Sequence, residues 1–167
     1  MSDTLQTLTD VQVQNVGAKM TESPTQHRIL IADDNEANVE LLEAYLADME
    51  VEIAVAVDGQ DTLDKAASFK PHLILLDVMM PKLSGFEVCQ KLKSDPATKS
   101  IMILMVTALN EHGDMERAVE AGTDDFLSKP VDKVSLVKRV DNMLKLRNVT
   151  DELERLRRYI EQMEAER

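Results

Sequence analysis

The sequence predicts an α/β fold: a doubly wound, five-stranded parallel sheet in the order 2-1-3-4-5 with helices on both faces. Three observations carry that prediction. Short apolar runs alternate five times with stretches of helical periodicity. Two of the runs, Leu73-Ile74-Leu75-Leu76 and Ile101-Met102-Ile103-Leu104-Met105-Val106, are apolar at every position, as strands buried on both faces are. Four of the runs end in polar residues, which a parallel sheet delivers to one edge. Right-handed crossovers leave few alternatives to this strand order.

Residues 1–26 are rich in Thr, Gln, Asp and Val without a clear period and are expected to form a mobile leader. Residues 27–144 carry the regular pattern, and 145–167 form a helical extension. Arg28-Ile29-Leu30-Ile31-Ala32 is the first strand, and Asp33-Asp34-Asn35 after it can cap a helix bearing Val39, Leu41, Leu42, Tyr45 and Leu46. Val51 to Val57 is the second strand, ended by Asp58-Gly59. Leu63, Ala66, Ala67 and Phe69 mark a helix that stops before Pro71, because proline disfavours helical conformation in the residue it follows. The central strand runs up to Asp77. Pro81 and Gly85 bracket a loop, and Phe86, Val88, Cys89 and Leu92 mark a third helix ending near Asp95-Pro96. The strand Ile101 to Val106 leads into Thr107-Ala108, and a short helix runs to Gly122. Asp125-Phe126-Leu127 is a brief strand that ends at Lys129-Pro130. A last helix begins near Val131 and meets no stop signal up to Arg167.

Composition narrows the function. The formal charge is −12, from 19 basic and 31 acidic residues. Phosphate backbones are bound by clustered Lys and Arg, so direct nucleic-acid binding is not expected. No window is apolar enough to span a membrane, and the amino terminus lacks a basic start followed by an apolar block. Cys89 is the only cysteine; on an apolar helix face it is expected to be a small core residue, in a reduced, cytoplasmic setting. His27, His72 and His112 are scattered and share no ligand spacing.

The chemistry converges on the carboxyl ends of the strands, where ligands bind in open α/β sheets. Asp33 and Asp34 arrive from the first strand, Asp77 from the third, Thr107 from the fourth and Lys129 from the fifth. Three converging carboxylates raise one another's pKa, and a hard divalent cation removes the conflict. Magnesium suits the set, since it takes few carboxylates, several waters and a phosphate oxygen. With one ammonium and one hydroxyl added, the site suits a phosphoryl group. That group could be substrate, or it could be attached to Asp77 acting as a nucleophile.

Rival plans fit less well. A dinucleotide fold would place a Gly-rich turn after the first strand, where Ala32-Asp33-Asp34-Asn35 would repel a pyrophosphate. Aspartyl-phosphate hydrolases of the haloacid dehalogenase type use a second Asp two places after the nucleophile; here that position is Met79.

Taken together, Ile29-Leu30-Ile31-Ala32-Asp33-Asp34, Leu75-Leu76-Asp77-Val78-Met79-Met80-Pro81, Val106-Thr107-Ala108 and Asp125-Phe126-Leu127-Ser128-Lys129-Pro130 resemble the receiver domain of two-component response regulators, over roughly 27–147. The resemblance implies a flavodoxin-like sheet and a regulator that assists its own phosphorylation, not a conventional enzyme. Asp77 would be the phosphoacceptor, charged by a sensor histidine kinase or a histidine phosphotransfer protein. Asp34, Asp77 and the backbone carbonyl of Met79 would hold Mg2+, with Asp33 reaching it through water. Thr107 and Lys129 would grip the phosphoryl oxygens, Thr107 and Phe126 would form the switch, and the Lys129–Pro130 bond would be cis. A phosphorylation-independent docking module with the same fold is the alternative.

Beyond the receiver pattern, Leu146, Val149, Leu153, Leu156, Ile160 and Met163 alternate at spacings of three and four. That is a heptad seam, with Leu146, Leu153 and Ile160 at a and Val149, Leu156 and Met163 at d. Glu152 at g and Arg157 at the following e would meet across a parallel pair. The expectation is a parallel homodimer through residues 146–163 that couples the switch to a downstream effector the sequence does not name.

Overall fold

Alternation along the strands decides how the sheet is wrapped. Leu30, Ala32, Ile74, Leu76, Ile103 and Met105 build the apolar cluster on one face, and Ile29, Ile31, Leu73, Leu75, Leu104 and Val106 build the cluster on the other. Both faces must therefore be covered by helices. In the computed structural model, which describes residues 26–108 and 112–166, they are. The strands are β1 (His27–Ala32), β2 (Val51–Ala56), β3 (Leu73–Leu76), β4 (Met102–Thr107) and β5 (Asp125–Ser128). The helices are α1 (Glu36–Leu46), α2 (Gly59–Ser68), α3 (Gly85–Ser94), α4 (His112–Ala121) and α5 (Lys133–Ala165). All strand pairs are parallel, in the order β2-β1-β3-β4-β5. The doubly wound, flavodoxin-like reading of the sequence is thus the observed fold.

Side chains of α2, α3 and α4 pack with the first cluster, and those of α1 and α5 with the second. The chain leaves β1 toward β2 on one side and returns to β3 on the other. The order reverses between β1 and β3, and the two connections part there at the carboxyl ends of the strands. Residues 1–25 of the expected leader lie outside the described residues.

Several boundaries differ from the sequence reading by a residue or two, and three of them have a clear local reason. The second strand stops at Ala56, because Asp58 turns out to cap α2, its side chain accepting the Asp61 amide at 2.7 Å. The fourth strand starts at Met102, because the Ile101 amide closes a turn onto Thr98 O at 3.0 Å. The last helix starts at Lys133, not near Val131. Asp132 is its N-cap, accepting the Ser135 amide at 2.9 Å, and those backbone donors hold its carboxyl below the usual range. The Lys129–Pro130 bond is cis.

Cys89 is fully buried, its thiol donating to Ala121 O at 3.3 Å, and burial pushes its pKa up to about 11. It is a core residue, as expected. His72 accepts the Arg28 amide on Nδ1 at 2.8 Å, pinning the start of β3 to that of β1; burial pushes its pKa down to about 4, so it stays neutral. No helix among the described residues is long and apolar enough to cross a membrane.

The last helix runs unbroken over 33 residues. Leu136, Val140, Met143 and Leu144 bury its first half against the sheet. Beyond them Leu146, Val149, Leu153, Leu156, Ile160 and Met163 are each between 50 and 61 % exposed.

Candidate functional site

The crevice between β1 and β3 is where the carboxylates gather. The Asp77 amide donates to Ala32 O at 2.9 Å, which sets the end of β3 beside the end of β1. Asp33 and Asp77 are buried, at 3 and 6 % exposed, and Asp34 is exposed at the mouth. Carboxylate oxygens of all three lie within 4.8 Å of one another. Lys129 reaches in from the end of β5, with Nζ 3.1 Å from Asp33 Oδ2 and 3.5 Å from Asp77 Oδ2. Its amide donates to Thr107 O at 3.0 Å, which ties the ends of β4 and β5 together. Thr107 is buried, and its hydroxyl stands near enough to the Asp77 carboxylate to favour the charged form.

Local structure holds each group. Asp33 Oδ1 accepts the Asn35 amide at 2.9 Å, and Asp33 Oδ2 accepts Asn38 Nδ2 at 3.2 Å. Asn35 is also the N-cap of α1, accepting the Asn38 amide at 3.2 Å. The segment Asp33–Asn38 is therefore both a helix start and one wall of the site. On the other wall, Asp77 Oδ1 accepts the Met79 amide at 3.4 Å, and the Gly85 amide donates to Val78 O at 2.9 Å. A Cβ at Gly85 would stand 2.3 Å from Asp77 O, so only glycine lets α3 begin this close to the acidic residue.

Burial pushes the Asp77 carboxyl above the usual carboxylate range, and the Asp33 charge adds to that push; the Lys129 ammonium, the Thr107 hydroxyl and the Met79 amide oppose it. A raised carboxyl pKa means the folded state holds the proton more tightly than the unfolded state. Asp77 therefore supports the fold fully only below its unfolded pKa, and that support is lost as pH rises through the folded value. At neutral pH and without metal, Asp77→Asn is expected to raise the melting temperature. The gain should shrink as pH falls through the raised pKa. Calorimetry from acid to neutral pH tests it, and a variant that melts lower at neutral pH would refute it.

Five expected site residues, Asp33, Asp34, Asp77, Thr107 and Lys129, thus meet in one place. Met79 sits beside them through its backbone, while its side chain is 76 % exposed. Phe126 is not part of the cluster; it is half-buried in β5 and packs against the core under α2, α3 and α4. Asn38 was missed by sequence reasoning. Its signal was present: it lies three residues after the cap Asn35, one helical turn on, facing the same carboxylate.

The donor set fits a small hard cation: three oxygen-bearing side chains close together, two of them buried, with a single ammonium holding their charge. It also fits a phosphoryl group, since an ammonium and a hydroxyl converge on one partly protonation-prone carboxylate.

A family model described as the response regulator receiver domain matches residues 29–141. The chain is 49 % identical over 126 residues to the response regulator PleD of Caulobacter vibrioides, a match covering 75 % of this chain and 28 % of PleD. It is 40 % identical over 118 residues to the DNA-binding dual master transcriptional regulator RpaA of Synechocystis, covering 71 % of this chain and 49 % of RpaA. The chain thus spans half the length or less of these relatives. Among solved structures, the receiver domain of a signal transduction histidine kinase from Syntrophus aciditrophicus is similar at TM-score 0.68 and 30 % identity, covering 71 % of this chain and 90 % of that one. A two-component response regulator from Clostridium difficile is similar at TM-score 0.67 and 28 % identity, covering 72 and 97 %.

Proposed function

The chain belongs to the response regulator receiver family, and on that premise we propose that it accepts a phosphoryl group on Asp77 from a histidine kinase or histidine phosphotransfer protein, with magnesium, and relays its state through α5. Receiver domains of this family are regulatory phosphoacceptors in two-component signalling. One observation carries the assignment of Asp77. It is the buried carboxylate at the strand-order reversal, with the Thr107 hydroxyl nearby and the Lys129 ammonium 3.5 Å away.

Bound among Asp33, Asp34, Asp77 and the Met79 carbonyl, magnesium would supply positive charge against the phosphoryl oxygens. The chain's own residues do the rest. An Asp77 oxygen forms a bond to phosphorus as the donor's P–N bond breaks, and the donor imidazole keeps the electron pair. Lys129 and Thr107 then hold the new negative charge, which offers each a charge-assisted hydrogen bond. A move of Thr107 toward that charge would free space for Phe126, and the surface after β4 and β5 would change shape for a partner to read.

The exposed seam of α5 supports a parallel homodimer through residues 146–163. Six apolar side chains at heptad spacing have no cover within the described chain. A second copy provides an identical, register-matched stripe. The single buried thiol and the absence of a spanning helix among the described residues fit a cytoplasmic setting.

Incubation with Mg2+ and acetyl phosphate tests the central step. Intact-mass measurement should show a gain of one phosphoryl group in the wild type, none in Asp77→Asn and none after chelation. Magnesium binding without any gain would overturn the phosphoacceptor reading and favour a docking module.

A further inference from the structure

The loop from Val78 to Ser84 carries Met79, whose carbonyl is one of the magnesium ligands in the reading above. That loop is lashed to the first turn of α2. The Gly59 amide, a helix-end donor with no partner inside its own helix, donates to Pro81 O at 3.3 Å. The Asp58 carboxylate divides its oxygens: Oδ1 caps α2 through the Asp61 amide at 2.7 Å, and Oδ2 pairs with Lys82 Nζ at 3.1 Å. Lys82 has φ +69°, a conformation uncommon for a residue with a side chain. Contact with Gly59 is close enough that a Cβ there would stand 2.4 Å from Leu83 O and 2.5 Å from Leu83 Cβ. The loop is therefore pressed between two glycines, Gly59 on the α2 side and Gly85 at the start of α3.

We propose that Asp58 and Gly59 are positioning residues for the acidic site: they brace the Pro81-Lys82-Leu83 segment so that the Met79 carbonyl stays within reach of the cation that Asp77 holds. The proposal rests on the magnesium reading. Neither residue touches the cation. Both act through the loop, and a role limited to starting α2 would leave the site unmoved.

Gly59→Ala forces a backbone shift in the loop. It is expected to raise the Mg2+ dissociation constant, read by titration calorimetry, on the order of tenfold, as the loss of a ligand's supporting contacts does elsewhere. It should also shift the Met79 and Met80 amide resonances in the metal-free protein. Asp58→Asn keeps a good cap but loses the Lys82 ion pair. It should move both readouts the same way by less, and it carries the test where Gly59→Ala does not fold. Gly122→Ala is the control. Gly122 has φ +90° and meets only the Lys93 side chain, at 3.3 Å, so alanine strains the fold away from the site. It should lower the melting temperature and leave Mg2+ affinity and both amides unchanged. Wild-type affinity and unmoved Met79 and Met80 amides in Gly59→Ala and Asp58→Asn would overturn the brace, as would equal loss of affinity in Gly122→Ala. A wild type that takes up no Mg2+ refutes the magnesium reading instead, and the metal-free amide shifts then decide the brace alone.

Discussion

Lys129→Met is expected to slow phosphoryl uptake from acetyl phosphate by about 10²-fold or more and to make the fold depend on magnesium. Its ammonium stands between two buried carboxylates, 3.1 Å from Asp33 and 3.5 Å from Asp77. Removing one partner of a buried pair leaves an uncompensated charge, at a cost of about 3 kcal/mol. Here two carboxylates would be left facing each other. Asp77 is already pushed up by burial and by Asp33, and it would lose the ammonium that opposes them. A proton on Asp77 then relieves the repulsion but occupies the nucleophile. Both consequences slow uptake at neutral pH. A divalent cation relieves the same repulsion, so added Mg2+ should raise the melting temperature of the variant more than that of the wild type. Melting curves with and without Mg2+, beside intact-mass time courses, give the answer. Uptake at the wild-type rate would remove Lys129 from the chemistry. Equal magnesium responses would show that the ammonium does not hold the carboxylates together.

Leu153→Asp combined with Ile160→Asp is expected to convert a dimer into a monomer without unfolding the receiver. Both residues sit at a positions, and both are more than half exposed in the single chain, 61 and 55 %. Each buried leucine or isoleucine contributes about 1.5–3 kcal/mol, so the seam of six per chain dominates pairing. Four aspartates, paired at two successive a layers one heptad apart, would remove much of that gain and add repulsion. Charge contributes less: Arg157, expected to meet Glu152 of the second helix, already pairs with Glu161 on its own helix at 3.1 Å, and exposed pairs are worth under about 1 kcal/mol. Sedimentation of wild type and variant at matched concentration decides the matter. A monomeric wild type, or a dimer indifferent to the aspartates, would end the proposal.

The strand order and the acidic cluster were legible because they rest on one-dimensional signals. Leu73–Leu76 is apolar throughout and buried throughout, and Asp77 follows it at the position where a parallel sheet collects ligands. Asp33, Thr107 and Lys129 follow from the same rule applied to β1, β4 and β5. What escaped notice depends on contacts between segments. Asn38 reaches Asp33 only because Asn35, and not Asp33 or Asp34, starts the helix. Gly59 looked like the second half of a strand-ending turn, and nothing near it in sequence names Leu83, 24 positions on, as the residue it must clear. The start of α5 slipped because Val131 suits a helix, while the capping geometry belongs to Asp132.

The unbroken length of α5 makes it a lever with its fulcrum inside the domain. At 1.5 Å per residue, the 33 residues span about 50 Å, of which roughly 25 Å run past Asn148, whose side chain still hydrogen-bonds His27 of the domain. A tilt of about 5° at Leu136–Leu144 would displace the far end by ~3 Å, about half a helical pitch. No glycine or proline lies between fulcrum and tip to absorb that angle. Motions too small to disturb the packing of the sheet are thus magnified along the rod, and the distance gained grows with every residue by which the helix is extended.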